Sequence, residues 1–337
     1  MDIRTALARI VARNSLSESE MEAVMRQLMA GAATPAQVGA LLVALRMKGE
    51  TVDEITGAVR AMREFAAPLH LRSAVVVDTC GTGGDLRGTF NISTAAALIA
   101  AGAGLTVAKH GNRAMSGTVG GADVLEALGV KIELPPERVA SCIDEIGIAF
   151  LFAPVFHPAM RHAAGPRREL GLRTIFNLLG PLASPAGARH QVVGVFAPEW
   201  IEPLARALGR LGSSHALVVH GDDGLDEISL AAPTQVSEYR DGSLHTYRVT
   251  PEDFGFKSCR DADLEGGDRE TAASIIRGIV AGATGPRADI AVLNAAAAIY
   301  VGGLAPSIAA GVDLARDAIR SGRARQKLAQ LIEFTNR

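Results

Sequence analysis

The sequence predicts an α/β fold, with a small helical N-terminal domain and a larger domain whose central, mostly parallel sheet is covered by helices. Two observations carry this. Residues 1–72 hold repeated helix-start signals and no strand-like run, whereas from Ala74 onward short aliphatic runs alternate with helix-like stretches. Strands separated by helices need crossover connections, which put helices on both faces of a parallel sheet. A chain of 337 residues accommodates both domains, the second spanning 73–337. Hydrophobic residues make up 48 % and aromatics 4 %, so the core is built mainly from Ala, Val, Leu and Ile.

In the first domain Ser17 with Glu20, Thr34 with Gln37 and Thr51 with Glu54 are capping pairs, each marking a helix start. Val38, Leu41, Leu42 and Leu45 follow at helical spacing, and Gly49 ends that helix. In the second, candidate strands are 75–78, 105–108, 149–153, 192–197 and 216–220. Helix-like stretches 93–103, 122–128, 136–146 and 198–211 lie between them, and 157–182 reads as an Arg-bearing helical segment. Residues 234–249, centred on Asp241-Gly242, look like a hairpin, followed by helices over 290–300 and 306–334.

Composition removes several function classes. Lys plus Arg number 34 and Asp plus Glu 36, a formal charge of −2, and with few aromatics there is neither a polyanion-binding surface nor a base-stacking platform. Nucleic acid is not expected as a partner. Cys80, Cys142 and Cys259 are widely spaced, which disfavours a disulfide framework and a zinc site. No apolar run approaches the ~18 residues of a membrane helix, so a cytoplasmic protein without membrane attachment is expected.

Ligands of a parallel sheet bind at the carboxyl ends of its strands. After the first strand stands Gly81-Thr82-Gly83-Gly84-Asp85, then Thr89-Phe90-Asn91-Ile92-Ser93-Thr94 opening a helix. Glycines let backbone N–H groups approach an anion, and a helix start adds partial positive charge. Alone, the cluster reads equally well as a tight turn. The next strand leads into Lys109-His110-Gly111-Asn112-Arg113, and a later one into Asp226-Glu227 beside Gly224. Alone, the acidic pair is a solvated turn. Together the three loops suggest a phosphorylated substrate held with Mg²⁺, which takes oxygen ligands and substrate phosphate.

These runs, with Arg173-Thr174-Ile175-Phe176-Asn177-Leu178-Leu179-Gly180-Pro181-Leu182, resemble the anthranilate phosphoribosyltransferase family in order and spacing over essentially the whole chain. The resemblance implies transfer of phosphoribose from phosphoribosyl pyrophosphate to the amine of anthranilate, in tryptophan biosynthesis. It matches Gly81, Gly84, Asp85, Thr89, Asn91, Ile92, Ser93, Thr94, Lys109 and Gly121 to the donor site. Gly81, His110, Asn112, His157, Arg167 and Pro181 match the anthranilate site and its channel, and Ser93, Asp226 and Glu227 match ligands of two Mg²⁺ ions. It also implies that part of 157–188 joins the helical domain and that the protein dimerises through that domain. Related readings are a pyrimidine nucleoside phosphorylase and a non-enzymatic nucleic-acid-binding member of the same fold.

The chain departs from the family pattern in three places. Leu86-Arg87 follow the Gly-Gly-Asp where Gly is usual, the run Ser116-Gly117-Thr118-Val119-Gly120-Gly121 lacks Lys, and turn-prone Gly165-Pro166 precede Arg167. Arg87 is the expected substitute for the missing positive charge.

Overall fold

The computed structural model describes residues 1–85, 87–114 and 119–337. Four helices build the N-terminal domain: α1 (Ile3–Val11), α2 (Glu18–Met29), α3 (Pro35–Lys48) and α4 (Val52–Glu64). All three capping boxes form, and Gly49 ends α3 at a φ of 91°. Glu54 does more than cap. It is fully buried, and accepts from Lys48 Nζ at 2.9 Å and from the Leu16 N–H at 3.0 Å, tying the α1–α2 connection to α4.

The larger domain opens with β1 (Val77–Thr79), α5 (Ile92–Gly102), β2 (Val107–Gly111), α6 (Gly121–Ala127), α7 (Pro136–Ile146) and β3 (Ile148–Phe152). Helices α8 (Ala153–Phe156), α9 (Arg161–Leu170) and α10 (Phe176–Leu182) lead to β4 (His190–Gly194), α11 (Ile201–Arg210) and β5 (His215–Gly221). The hairpin is β6 (Thr234–Arg240) and β7 (Ser243–Val249). It turns at Asp241 and Gly242, with φ of 48° and 89°, the left-handed pair that an Asp-Gly hairpin turn requires. Helices α12 (Arg269–Val280), α13 (Pro286–Val301), α14 (Ile308–Arg320) and α15 (Arg323–Asn336) complete the chain.

The strands form one sheet in the order β3-β2-β1-β4-β5-β6-β7, parallel from β3 to β5 and antiparallel in the hairpin. Alternation along the strands divides the hydrophobic residues between two cores. Val77, Val192, Leu217 and Val219 pack with α5 and α12 to α15, whereas Val193, Val195, Ala216 and Val218 pack with α1 to α4, α10 and α11. Small residues make the first core tight: a Cβ on Gly311 of α14 would lie 2.6 Å from the Ala296 carbonyl of α13. Arg63 bridges the domains, donating to the Leu182 carbonyl at 2.6 Å and to that of Leu211 at 3.2 Å, and burial lowers its pKa to about 10.

Two expectations need correction. Strand β2 starts later than expected and runs through Lys109, His110 and Gly111, which the sequence placed in a loop. Hydropathy ends a strand at a charge, but pairing of Lys109 with Phe150 and of His110 with Leu151 carries the ladder onward. Residues 306–334 are two helices, broken where Gly322 takes a φ of +78°. As the helical reading of 157–182 expects, helix α9 continues through the turn-prone Gly165-Pro166, since a proline removes only one backbone hydrogen bond from this short, part-exposed helix.

Candidate active site

The strand order reverses between β1 and β4, and an open parallel sheet presents its ligand crevice at such a reversal. The glycine loop leaves β1 there and is tied down on several sides. Thr82 N–H donates to the Gly194 carbonyl at 2.8 Å, and Gly83 N–H donates to Asp226 Oδ2 at 2.9 Å. The Arg173 guanidinium donates to the Gly84 carbonyl and lies 4.5 Å above the Phe196 ring. Two glycines admit the acidic loop. A Cβ on Gly81 would stand 2.6 Å from Asp226 Oδ2, and one on Gly194 only 1.5 Å from the Asp226 carbonyl oxygen.

Asn91 adopts a φ of 64° and starts α5 without a side-chain cap, unlike α2, α3 and α4. The first turn of α5 therefore takes no side-chain cap from Asn91, which leaves a helix start suited to an anion, with the Ser93 backbone beside the Glu227 carboxylate. Asn91 accepts instead from the Thr94 hydroxyl. Gly121, at the start of α6, approaches the same turn: its Cβ would lie 3.6 Å from Thr94 Oγ1. Thr89 is held by a bridge to Glu265.

Lys109 is 5 % exposed, with its ammonium donating to the Thr79 carbonyl and to Ser93 Oγ at 3.0 Å. Opposite it, Asp226 and Glu227 share a desolvated corner with Asp85. Burial raises the Asp226 pKa well above its usual value, with the charges of Asp85 and Glu227 adding to the rise. Burial pushes Glu227 up to about 7, Lys109 pulling the other way. Like charges gathered on oxygen-only donors fit a hard divalent cation. A small cavity lined by Thr79, Cys80, Gly81, Ser93, Glu227 and Asn294 lies between these groups.

This crowding has a measurable sign. A carboxyl raised from 4.5 to about 7 on folding loses stability relative to the unfolded chain as pH rises through that window, and the deficit persists above it. Metal-free Glu227→Gln is expected to melt with wild type near pH 4 and above it near pH 8. Melting curves with a pH-independent gap would count against the shift.

The second side of the edge carries neutral rings and a lone cation. His110 and His157 are buried, their ring centroids 5.2 Å apart, and burial lowers their pKa values to about 3 and about 4, so both are neutral at pH 7. Pro181 is buried in α10 and its carbonyl accepts from Gln191 Nε2 at 2.8 Å. Asn112 is exposed just after β2. Arg167 is half-buried 5.1 Å above the Phe176 ring, with no carboxylate partner among the described residues, and burial lowers its pKa. A desolvated guanidinium without an acid is placed to take a carboxylate from a ligand.

Residues 73–325 match the family described as "Glycosyl transferase family, a/b domain", and residues 4–66 match "Glycosyl transferase family, helical bundle domain". The anthranilate phosphoribosyltransferase of Thioalkalivibrio sulfidiphilus is 55 % identical over 335 residues, covering 99 % of each chain. The chain belongs to the anthranilate phosphoribosyltransferase family. The family member from Symbiobacterium thermophilum is also 55 % identical, over 99 % of this chain and 98 % of its own. The crystal structure of the Thermus thermophilus enzyme superimposes with a TM-score of 0.94 at 48 % identity, covering 98 % of this chain and 99 % of that one. The Saccharomyces cerevisiae enzyme, solved in complex with phosphoribosyl pyrophosphate and Mg²⁺, gives 0.90 at 26 % identity, covering 99 % and 98 %.

Arg87 does not supply free charge to the family's donor loop, because its guanidinium is engaged by the Asp261 carboxylate. Val119 packs against the larger core, while Leu86, Ser116, Gly117 and Thr118 lie outside the described residues. Sequence reasoning passed over two positions that hold the site and left the role of a third open. Gly194 admits Asp226, and Asn294 binds Ile228 through both its backbone groups at 2.9 Å, fixing the residue after Glu227, while Arg173, named in the sequence only as the head of its run, pins Gly84. Of the two missed, only Asn294 carried a signal, as a lone amide in an Ala-rich helix. Parallel pairing also brings Cys80 together with Asp78 and His110, a proximity that cysteine spacing alone does not show.

Proposed function

We infer that the protein transfers the 5-phosphoribosyl group of phosphoribosyl pyrophosphate to the amine of anthranilate, releasing pyrophosphate. The observation that carries this reading is the meeting, at one sheet edge, of an uncapped helix start, a buried lysine and a crowded carboxylate set. The relatives favour it over the phosphorylase and nucleic-acid-binding alternatives.

The donor phosphates lie on the Gly81 to Asp85 loop, on Thr89 and on the Asn91 to Thr94 turn, with Lys109 and Gly121 at its sides. Asp226, Glu227 and Ser93 hold Mg²⁺, two ions in this reading. Bound there, Mg²⁺ supplies positive charge to the pyrophosphate oxygens. As the C1–O bond to pyrophosphate breaks, positive charge develops on the sugar and negative charge on the leaving group. N–H groups of α5 and the Lys109 ammonium, fixed in advance, stabilise that negative charge. The anthranilate nitrogen then forms the new bond to C1 and gives up a proton. Its lone pair is free at neutral pH, so no strong base is needed, in keeping with two neutral histidines in the acceptor channel.

Arg167 and Asn112 orient the acceptor by its carboxylate, along a channel walled by His110, His157 and Pro181. Arg167→Ala should raise the KM for anthranilate about 10- to 100-fold, the worth of a charged hydrogen bond, and leave the donor KM near wild type. Equal rises for both substrates would remove that role. We read 1–72, with part of 157–188, as the helical domain and as the surface of a homodimer, which exposed Val11 and Met47 support. Three free cysteines suit a reducing cytoplasm, and among the described residues no helix is long and apolar enough to cross a membrane. The deciding experiment follows loss of anthranilate fluorescence with phosphoribosyl pyrophosphate, with and without Mg²⁺. Unchanged fluorescence under both conditions would overturn the assignment.

A further inference from the structure

Register and alternation sort the side chains at the carboxyl edge of the sheet onto two sides. Val77 pairs with Val107, and Thr79 with Val192, so Thr79, Lys109 and Val192 share the α5 side with the acidic pair. Asp78, His110 and Gln191 alternate to the opposite side, against α10, while Cys80, the residue after β1, reaches them from the edge and also lines the cavity beside Ser93 and Glu227. There the ligand atoms of Asp78, Cys80 and His110 all lie within 4.8 Å of one another. Asp78 is fully buried and His110 is 4 % exposed. Asp78 Oδ2 and both His110 ring nitrogens make no well-aligned hydrogen bond among the described residues, the Ser184 hydroxyl and the Gly180 backbone being their polar neighbours. Their convergence beside a thiol identifies what would meet them.

A carboxylate, a thiol and an imidazole form a mixed oxygen, sulfur and nitrogen set. Mg²⁺ takes oxygen ligands, whereas Zn²⁺ takes all three. We propose that Asp78, Cys80 and His110 form a Zn²⁺ site that shares no ligand with the Mg²⁺ set, Cys80 standing at the edge between the two. His157 stands beside this set, its ring 5.2 Å from that of His110 and its Nε2 without a well-aligned partner among the described residues. Binding breaks the Cys80 S–H bond and forms a Zn–S bond, the proton leaving to solvent; the imidazole binds neutral and no electron moves. Resting on the acceptor channel assigned above, the site makes Zn²⁺ an inhibitor competitive with anthranilate rather than with the phosphoribosyl donor.

The test uses the whole enzyme in excess Mg²⁺ and Co²⁺ as a spectroscopic substitute for Zn²⁺. One equivalent of Co²⁺ should produce a thiolate-to-cobalt charge-transfer band and the visible absorption of four-coordinate cobalt, both erased by Zn²⁺. Cys80→Val should abolish the band and weaken Zn²⁺ binding by more than about 10-fold, while Asp226→Asn keeps both. His110→Gln, which retains every cysteine, should shift the visible spectrum and weaken binding, and it carries the test alone if Cys80→Val does not fold. An unchanged band in Cys80→Val, or no band in wild type, overturns the site. A Cys80-dependent band without competition against anthranilate would overturn the link to the acceptor, and because the band is read without turnover it does not depend on the proposed reaction.

Discussion

Lys109→Ala is expected to lower kcat by about 10²–10³-fold, the usual loss when one preorganised charge donor is removed from a developing anion. The magnitude follows from its placement. The ammonium is buried, aimed by the Thr79 carbonyl and Ser93 Oγ, and needs no reorganisation when pyrophosphate begins to leave. It also restrains the pKa of Glu227, so its loss raises that carboxyl further and weakens metal affinity at neutral pH. The two contributions separate by titration: saturating Mg²⁺ recovers the metal term and leaves the kcat deficit. Lys109→Arg should not rescue, because a slot shaped by one carbonyl and one hydroxyl fits a compact ammonium rather than a planar fork. Steady-state rates of Lys109→Ala within about 3-fold of wild type at saturating substrates and Mg²⁺ would refute the role.

Gly194→Ala should be the most damaging small substitution in the α/β domain. The added methyl would sit 1.5 Å from the Asp226 carbonyl oxygen and 2.5 Å from its carbon, so the acidic loop must lift or β4 must move. Overpacking of this kind costs about 1–3 kcal/mol or more. The functional loss should exceed what the melting temperature shows, since lifting Asp226 also releases Gly83 N–H and the glycine loop. Gly39→Ala in α3 is the control. Nothing lies within 4 Å of its new Cβ, and alanine favours the helix, so stability and turnover should match or exceed wild type. A Gly194→Ala enzyme with wild-type donor KM and Mg²⁺ dependence would show that the acidic loop does not need this close approach.

Local chemistry explains why much of the fold was legible. The capping boxes at Ser17, Thr34 and Thr51, the Asp241-Gly242 hairpin and the strand and helix alternation after Ala74 each depend on neighbours within a few residues. Hydropathy failed at β2, because Lys109 and His110 look like loop residues until β1 and β3 flank them. The site divided along the same line. Gly81 to Asp85, the Asn91 to Thr94 turn, Lys109 and the acidic pair announce themselves through residue type, and each loop follows a strand of one sheet. Arg87 showed the limit of that method: a charge read as available for the donor is engaged by Asp261, 174 residues away in the chain.

By itself, then, the sequence determined the class of fold, the helix boundaries set by caps, the loops that carry phosphate and metal chemistry, and the family resemblance those loops bear. Tertiary structure alone decided which side of the sheet each group faces, that Gly194 is an opening for Asp226, that Arg167 is desolvated without an acid among the described residues, and that Asp78, Cys80 and His110 meet. The physical reason is range. Caps, turns and periodicity are written in contacts a few residues long, whereas desolvation, like-charge crowding and ligand geometry arise only when parallel strands bring distant segments into register.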